Sequence, residues 1–223
     1  MLSRVPTRVV ITEHSMLTGP VELSWSLRFL LWFTYPFSDQ AIAVSNSVAE
    51  DLSKLTKISH HKVNTVYNPV IDSEFSDKTR EEVKHSWFSG EGESVIISAG
   101  RLVSEKEFTV LVEAFHDVRE KYPAYLVILG KGDEKKRIEK KAERLGVRDY
   151  VWMPGFVQNP MKYISKASVF ALSSRWEGLG NVLIEAMACG TPVVATNCQG
   201  GPAEVLNDGE YGRLVPVGDP QAL

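Results

Sequence analysis

What this sequence has little of narrows it before any motif is read. Its 223 residues include two cysteines, Cys189 and Cys198, in no CxxC or Cys/His spacing, so neither a zinc site nor a disulfide framework is implied. Both read as small apolar residues of a reducing compartment. Basic charge is not in excess: 25 Lys and Arg face 28 Asp and Glu, and a net charge of −3 leaves no electrostatic footprint for nucleic acid. No Asp-x-Asp occurs, which removes the usual ligand pair for a metal clamp on phosphates. No G-x-G-x-x-G follows a strand. "GKGDEK" comes closest and lacks the third glycine, which counts against a dinucleotide-dependent oxidoreductase. The opening "MLSRVPTRVVITEH" lacks the apolar core and cleavage site of a secretory signal.

Long hydrophobic runs are missing too. The most apolar stretch, "LSWSLRFLLWFTYPF" (Leu23–Phe37), is interrupted well short of the ~20 residues needed to span a bilayer. Trp25, Trp32, Phe33 and Tyr35 suit a membrane interface, but Arg28 is the only basic residue among them. The stretch therefore reads as a buried or domain-packing helix, with peripheral membrane contact as the alternative.

What remains is an ordinary globular composition, 43% hydrophobic and 24% charged, in which short β-rich runs alternate with helical patterns. "RVVIT" and "AIAVS" read as strands, then Ser47 and Glu50 make a capping-box spacing for a helix to about Leu55, and "KVNTVYNP" is a third strand. Residues 73–93 turn polar and charged, a linker with one short helix. From Ser94 a fresh series begins, with strands "SVIISAG", "YLVILG", "VWMPGF", "SVFALSS" and "PVVATN", each followed by a helical pattern. Asp219-Pro220 looks like an N-cap and N1 pair that starts a further helix. The expected organisation is α/β: residues 1–72 as the C-terminal part of a first domain, the linker, and residues 94–223 as a nearly complete doubly wound second domain. The chain reads as cut short at both ends.

Open α/β sheets bind ligands beyond the carboxyl ends of their strands. The polar residues there are Arg101, the Gly130-Lys131-Gly132 turn and the Glu177-Gly178-Leu179-Gly180 loop. A cation, glycine turns and a carboxylate suit an anionic, polyhydroxylated ligand. The "GLGN" loop opens a helix whose free N–H groups and positive dipole end suit a phosphate. Within that helix Glu185 stands among Val182, Leu183, Ile184, Ala186, Met187 and Ala188. An ionised carboxylate is seldom buried without a partner. Two vicinal ribose hydroxyls would serve it. The competing reading makes Glu177 a helix cap, Glu185 a salt-bridged residue, and Arg101 and Lys106 exposed surface cations.

"SAGRLVSEKEFTVLVEAF", "GFV", "LSSRWEGLGNVLIEAMACGTPVVATNCQGGPAEVL" and "YGRLVPVGD" resemble the donor half of glycosyltransferase family 4. "AIAVSNSVAEDL" and "VNTVYNPV" resemble the end of that family's first domain. The resemblance implies a retaining, nucleotide-sugar-dependent enzyme of GT-B fold: a nearly complete Rossmann-like donor domain plus a fragment of the first Rossmann-like domain. It implies that Arg101 and Lys106 hold the donor diphosphate, that Glu185 binds the ribose and that Glu177 contacts the donor sugar. Gly178, Leu179, Gly180, Asn181 and Val182 would supply backbone amides, and Gly155, Phe156 and Val157 would wall the nucleobase. His14 would reach the transferred sugar from the first domain. The implied donor is a UDP-sugar, with no metal and no further cofactor. The implied acceptor is a sugar or lipid-linked hydroxyl in polysaccharide or glycolipid assembly, placing the protein in the cytoplasm or at the cytoplasmic face of the membrane.

Two features depart from the pattern. Glu107 stands where the family commonly has glycine after the lysine, so that it either weakens phosphate binding or points to solvent. The family's glycine-rich N-terminal loop is missing. The alternative to an enzyme is therefore a truncated, non-catalytic module that holds a nucleotide sugar without turning it over.

Overall fold

A computed structural model describes residues 7–18, 23–89 and 94–223. Two parallel sheets organise the chain, as expected from strands that alternate with helices. The first sheet contains β1 (Val10–Glu13), β2 (Gln40–Ala43) and β3 (Val63–Thr65), in that order, connected by α1 (Trp25–Thr34) and α2 (Asn46–Leu55). Next comes α3 (Phe75–Arg80) in the connecting segment. The second sheet then takes β4 (Ser94–Ala99), α4 (Phe108–Arg119), β5 (Ala124–Leu129), α5 (Lys135–Arg144), β6 (Val151–Gly155), α6 (Met161–Ile164) and β7 (Val169–Leu172). It continues through α7 (Asn181–Ala188), β8 (Val193–Thr196), α8 (Pro202–Val205) and β9 (Arg213–Val215). Its strand order is β6-β5-β4-β7-β8-β9.

Both faces of the second sheet are covered, which is why its strands read as near-continuous apolar runs. On one side Leu126 and Ile128 pack against Phe108, Leu111, Phe115 and Ile138 from α4 and α5. On the other, Ile97, Val127 and Phe170 pack against Ile164, Leu183 and Ala186 from α6 and α7.

Several sequence expectations need correction. The segment 73–93 is more than a polar linker: the Trp87 ring stacks on Tyr125 at 4.1 Å and His85 on Trp152 at 4.0 Å. Asn159 Nδ2 donates to the Lys78 carbonyl and Ser165 Oγ to that of Thr79. Two aromatic residues suffice to dock an otherwise charged segment on the second sheet. Its last four residues, 90–93, lie outside the description, as do residues 1–6 and 19–22 of the first domain. The cap of α2 is Ser45, whose Oγ accepts from the Val48 amide at 3.2 Å, and not Ser47. Asp219 caps only a turn, accepting from the Gln221 and Ala222 amides. Nor is α1 a buried helix: none of its residues is buried and Trp25 is 90% exposed.

The two sheets meet through polar contacts that no periodicity announces. Ser45 Oγ donates to the Gly178 carbonyl at 2.8 Å and Ser47 Oγ to the Gly200 carbonyl at 3.0 Å. Glu204 accepts from the Asn46 amide at 2.9 Å, from Asn46 Nδ2 at 2.7 Å and from the Tyr67 hydroxyl at 2.5 Å. Beside them Leu179 is buried with Met16, Ala43, Val44 and Val48. Gly178 lies so close to the first domain that a Cβ there would stand 2.1 Å from the His14 carbonyl oxygen.

That approach is testable. Gly178→Ala must push the first domain away, and overpacking of this kind costs about 1–3 kcal/mol. Thermal unfolding should show the loss, with solution scattering reporting a more open pair of domains. An alanine variant with unchanged stability and unchanged scattering would mean the contact is not there.

Candidate functional site

The strand order reverses between β4 and β7, so the chain leaves these neighbours toward opposite faces and opens a crevice at their carboxyl ends. The turn after β4 carries Arg101 and Lys106. The loop after β7 carries Glu177 and Gly178, then enters α7.

Lys106 and Glu177 meet in the floor of the crevice. Lys106 Nζ lies 2.5 Å from Glu177 Oε1, with the side chains only 16% and 10% exposed. Ser174 Oγ donates to the same oxygen at 2.6 Å. Two further bonds hold turn to loop: Ser173 Oγ donates to the Lys106 carbonyl at 2.7 Å and the Arg175 amide to the Glu105 carbonyl at 2.8 Å. Arg101 is different. Its side chain is 78% exposed, with a guanidinium nitrogen 3.3 Å from Glu105. Of the two cations predicted for a diphosphate, one is thus open and the other is held by a carboxylate.

Glu107 neither points to solvent nor toward Lys106. Its Oε1 lies 2.9 Å from Arg175 Nε, and its side chain is 16% exposed. Its backbone is left-handed, at φ 45° and ψ 40°, which explains why glycine suits this position.

Glu185 falls about one turn inside α7, half-buried, and its carboxylate makes no hydrogen bond or ion pair with any described residue. Burial pushes its carboxyl above the ordinary glutamate range. A structural partner for it is therefore not found among the described residues, and the salt-bridged carboxylate is Glu177. Cys189, one turn on, has its thiol pushed up to about 11, first by burial and then by the Glu185 charge. Burial likewise takes the Cys198 thiol to about 12, and neither cysteine is paired.

The N-terminus of α7 is equally unoccupied by protein. Gly180 is left-handed at φ 85°, which turns the chain into the helix. The amides of Gly178, Leu179, Gly180, Asn181 and Val182 have no acceptor among the described residues. Beyond Arg101 a cavity of about 270 Å³ is lined by Gly130, Lys131, Phe156, Val157 and Pro160. Gly155 closes its edge by accepting the Gly130 amide at 2.9 Å, and Lys131 Nζ lies 5.8 Å from the Phe156 ring centre. Lys131 figures in the sequence reading only as part of its glycine turn, and Ser174 is not singled out there at all. The glycine turn marks the strand end without marking the lysine, and nothing local marks the serine.

His14 follows β1 and is exposed, with its carbonyl against Gly178. The segment after it is pinned by buried Asp51, which accepts from the Leu17 amide at 2.6 Å, the Thr18 amide at 3.0 Å and the Thr18 hydroxyl. The first domain thus delivers His14 to the Glu177–Gly178 loop.

Known proteins resemble this chain in sequence and in fold. A Campylobacter jejuni protein named N-acetylgalactosamine-N,N'-diacetylbacillosaminyl-diphospho-undecaprenol 4-alpha-N-acetylgalactosaminyltransferase is 33% identical over 196 residues, which is 88% of this chain and 52% of that relative. N-acetyl-alpha-D-glucosaminyl L-malate synthase of Bacillus anthracis is 29% identical over 95% of this chain and 55% of its own length. The chain spans about half the length of these curated relatives. Among solved structures, Anabaena HepE in complex with UDP and glucose superposes with a TM-score of 0.82 at 24% identity, over 96% of this chain and 59% of that one. S. aureus TarM gives 0.76 at 20% identity, over 94% and 41%. These likenesses show a GT-B fold, with two Rossmann-like units facing each other. The model of Glycosyltransferase Family 4 matches residues 1–74, and that of glycosyl transferases group 1 matches residues 79–223. The second match takes in both crevice loops and all of α7, and the chain belongs to the glycosyl transferases group 1 family.

Proposed function

We propose that this chain binds a nucleotide-diphosphate sugar in the crevice and that the protein transfers the sugar, with retention, to an acceptor hydroxyl. The observation that carries the reading is Glu185, a half-buried carboxylate with no partner among the described residues, one turn behind five amides that have no acceptor among them either. Vicinal ribose hydroxyls satisfy the first and a diphosphate the second. The nucleobase enters the cavity beside Phe156 and Val157. The sugar lies over Glu177 and faces His14. UDP is the favoured nucleotide, since HepE was solved with UDP and glucose.

In the transfer, the bond between the anomeric carbon and the diphosphate oxygen breaks, and charge grows on the departing diphosphate. Arg101, Lys106 and the α7 amides stabilise that charge. The acceptor oxygen bonds the anomeric carbon on the face the diphosphate leaves, and its proton departs with the diphosphate. No protein nucleophile is required. A lipid-linked acceptor is supported by the diphospho-undecaprenol in the name of the Campylobacter relative. It would place the protein at the cytoplasmic face of a membrane. No helix among the described residues is long and apolar enough to cross one. Contact would instead be peripheral, through exposed Trp25, Phe29 and Phe33 of α1, flanked by Arg28, Lys54 and Lys57. Measuring donor affinity and transfer on one preparation separates an enzyme from a non-catalytic binding module.

Glu185→Ala should weaken nucleoside-diphosphate binding by about 1.5–3 kcal/mol, the worth of hydrogen bonds to a charged group, as read by calorimetry. It should also raise the melting temperature at neutral pH. A carboxyl whose folded-state pKa is raised contributes stability below its unfolded pKa, and that stability is lost as pH rises through the folded value. Ionised Glu185 therefore destabilises the free protein. In the unaltered chain, affinity should fall as pH drops from neutrality through that raised pKa, and the dependence should vanish in Glu185→Gln. Unchanged affinity in both variants would return Glu185 to a structural role.

Arg101→Ala and Lys106→Ala should each weaken nucleoside-diphosphate binding far more than nucleoside binding. Only the lysine change should also destabilise the fold, by about 3–5 kcal/mol, because it strands Glu177. Binding should survive a chelator. Equal losses for nucleoside and diphosphate, or a strict divalent-metal requirement, would contradict this site.

Vesicle sedimentation tests the α1 surface. Anionic vesicles should carry the protein down and neutral ones should not, and Trp25→Ser with Phe29→Ser should abolish the effect. Equal sedimentation of the double variant would rule the surface out.

A further inference from the structure

Resting on the reading that Lys106 meets a diphosphate and Glu177 a sugar, we propose that Glu107 and Arg175 are positioning residues whose ion pair fixes the spacing between those two groups. Lys106 sits on the turn after β4, and Glu177 on the loop after β7. Among the described residues two ion pairs join turn to loop: Lys106 with Glu177, and Glu107 with Arg175. The first is made by the ligand-binding groups themselves, so a bound nucleotide sugar exchanges it for contacts of its own. The second then remains as the side-chain ion pair that keeps turn and loop in register while the ligand bridges them.

The geometry favours this role over a bystander contact. Glu107 holds a left-handed backbone at φ 45°, where glycine would sit without strain. Its carboxylate is mostly buried and pairs with Arg175 Nε at 2.9 Å, adjacent in sequence to Lys106. Arg175 is tied down at its own backbone, with its amide donating to the Glu105 carbonyl at 2.8 Å, and it lies two residues before Glu177. The pair thus flanks the Lys106–Glu177 contact on both chains. Because the Arg175 side chain is 54% exposed, exchanging it does not open the core.

A ligand that bridges both groups depends on their spacing, whereas one that meets only the diphosphate side does not. The experiment compares affinities of the full chain for a nucleoside diphosphate and for its sugar conjugate by calorimetry. Arg175→Ala and Glu107→Gly should each lower affinity for the conjugate roughly tenfold and that for the diphosphate by less than about threefold. Glu107→Gly relieves the left-handed backbone, so its fold is not at risk. Exchanging the charges, Glu107→Arg with Arg175→Glu, should return the ratio toward that of the unaltered chain. A purely structural pair would move melting temperature and leave the ratio alone. Unchanged ratios in both single variants, or an exchange no better than either, would overturn the proposal. Failure of the unaltered chain to bind either compound would sink the underlying functional reading as well, and is told apart by that control.

Discussion

Two opposite charges buried side by side between β4 and β7 set the terms for the rest of this crevice. Removing either Lys106 or Glu177 would strand the other, which costs about 3–5 kcal/mol for a buried pair. Their contact at 2.5 Å forces the turn and the loop to be built together. The Ser173, Ser174 and Arg175 contacts all serve that registration. The strand order supplies the crevice, and the ion pair supplies its floor.

Glu185 obeys the opposite logic. It gives up water without gaining a partner, and its raised pKa records that cost. The five amides ahead of it are in the same position. On the reading proposed above, the ribose meets a carboxylate with no described bond to break, whereas drawing Lys106 to the diphosphate and Glu177 to the sugar exchanges the ion pair between them. This division gives the protein a reason to keep one carboxylate paired and the other bare.

Much of this was legible in the sequence, wherever a short-range signal existed. Strand positions from β4 to β8 follow from β-branched runs between glycines, and the site residues follow from asking what lies beyond the strand ends. The misses share a cause. Ser47 has the spacing of a cap, but Ser45 precedes the helix geometrically and takes the role, freeing Ser47 for Gly200. The segment 73–93 looks polar because its docking depends on Trp87 and His85, whose partners Tyr125 and Trp152 are distant in the chain. Glu107 reads in the sequence as an acidic residue in a glycine position that either weakens phosphate binding or points to solvent, and its partner Arg175 lies 68 residues away. Each miss turns on three-dimensional contact, local at the Ser45 cap and long-range for segment 73–93 and for Glu107, which periodicity does not encode.

The loop from Glu177 to Gly180 carries one further constraint, and it links the two domains to the chemistry. Leu179 is buried against Met16, Val44 and Val48 of the first domain, while the amides on either side of it have no acceptor among the described residues. Gly178 lacks a Cβ where the His14 carbonyl approaches, and Ser45 binds the Gly178 carbonyl from the same side. The backbone that presents donors to one face is thus clamped by side chains on the other. A shift of the first domain would pull on Leu179 and Gly178, and through them on Glu177 and the start of α7. Domain position and the geometry of the α7 amides are therefore mechanically coupled, without any element moving between them.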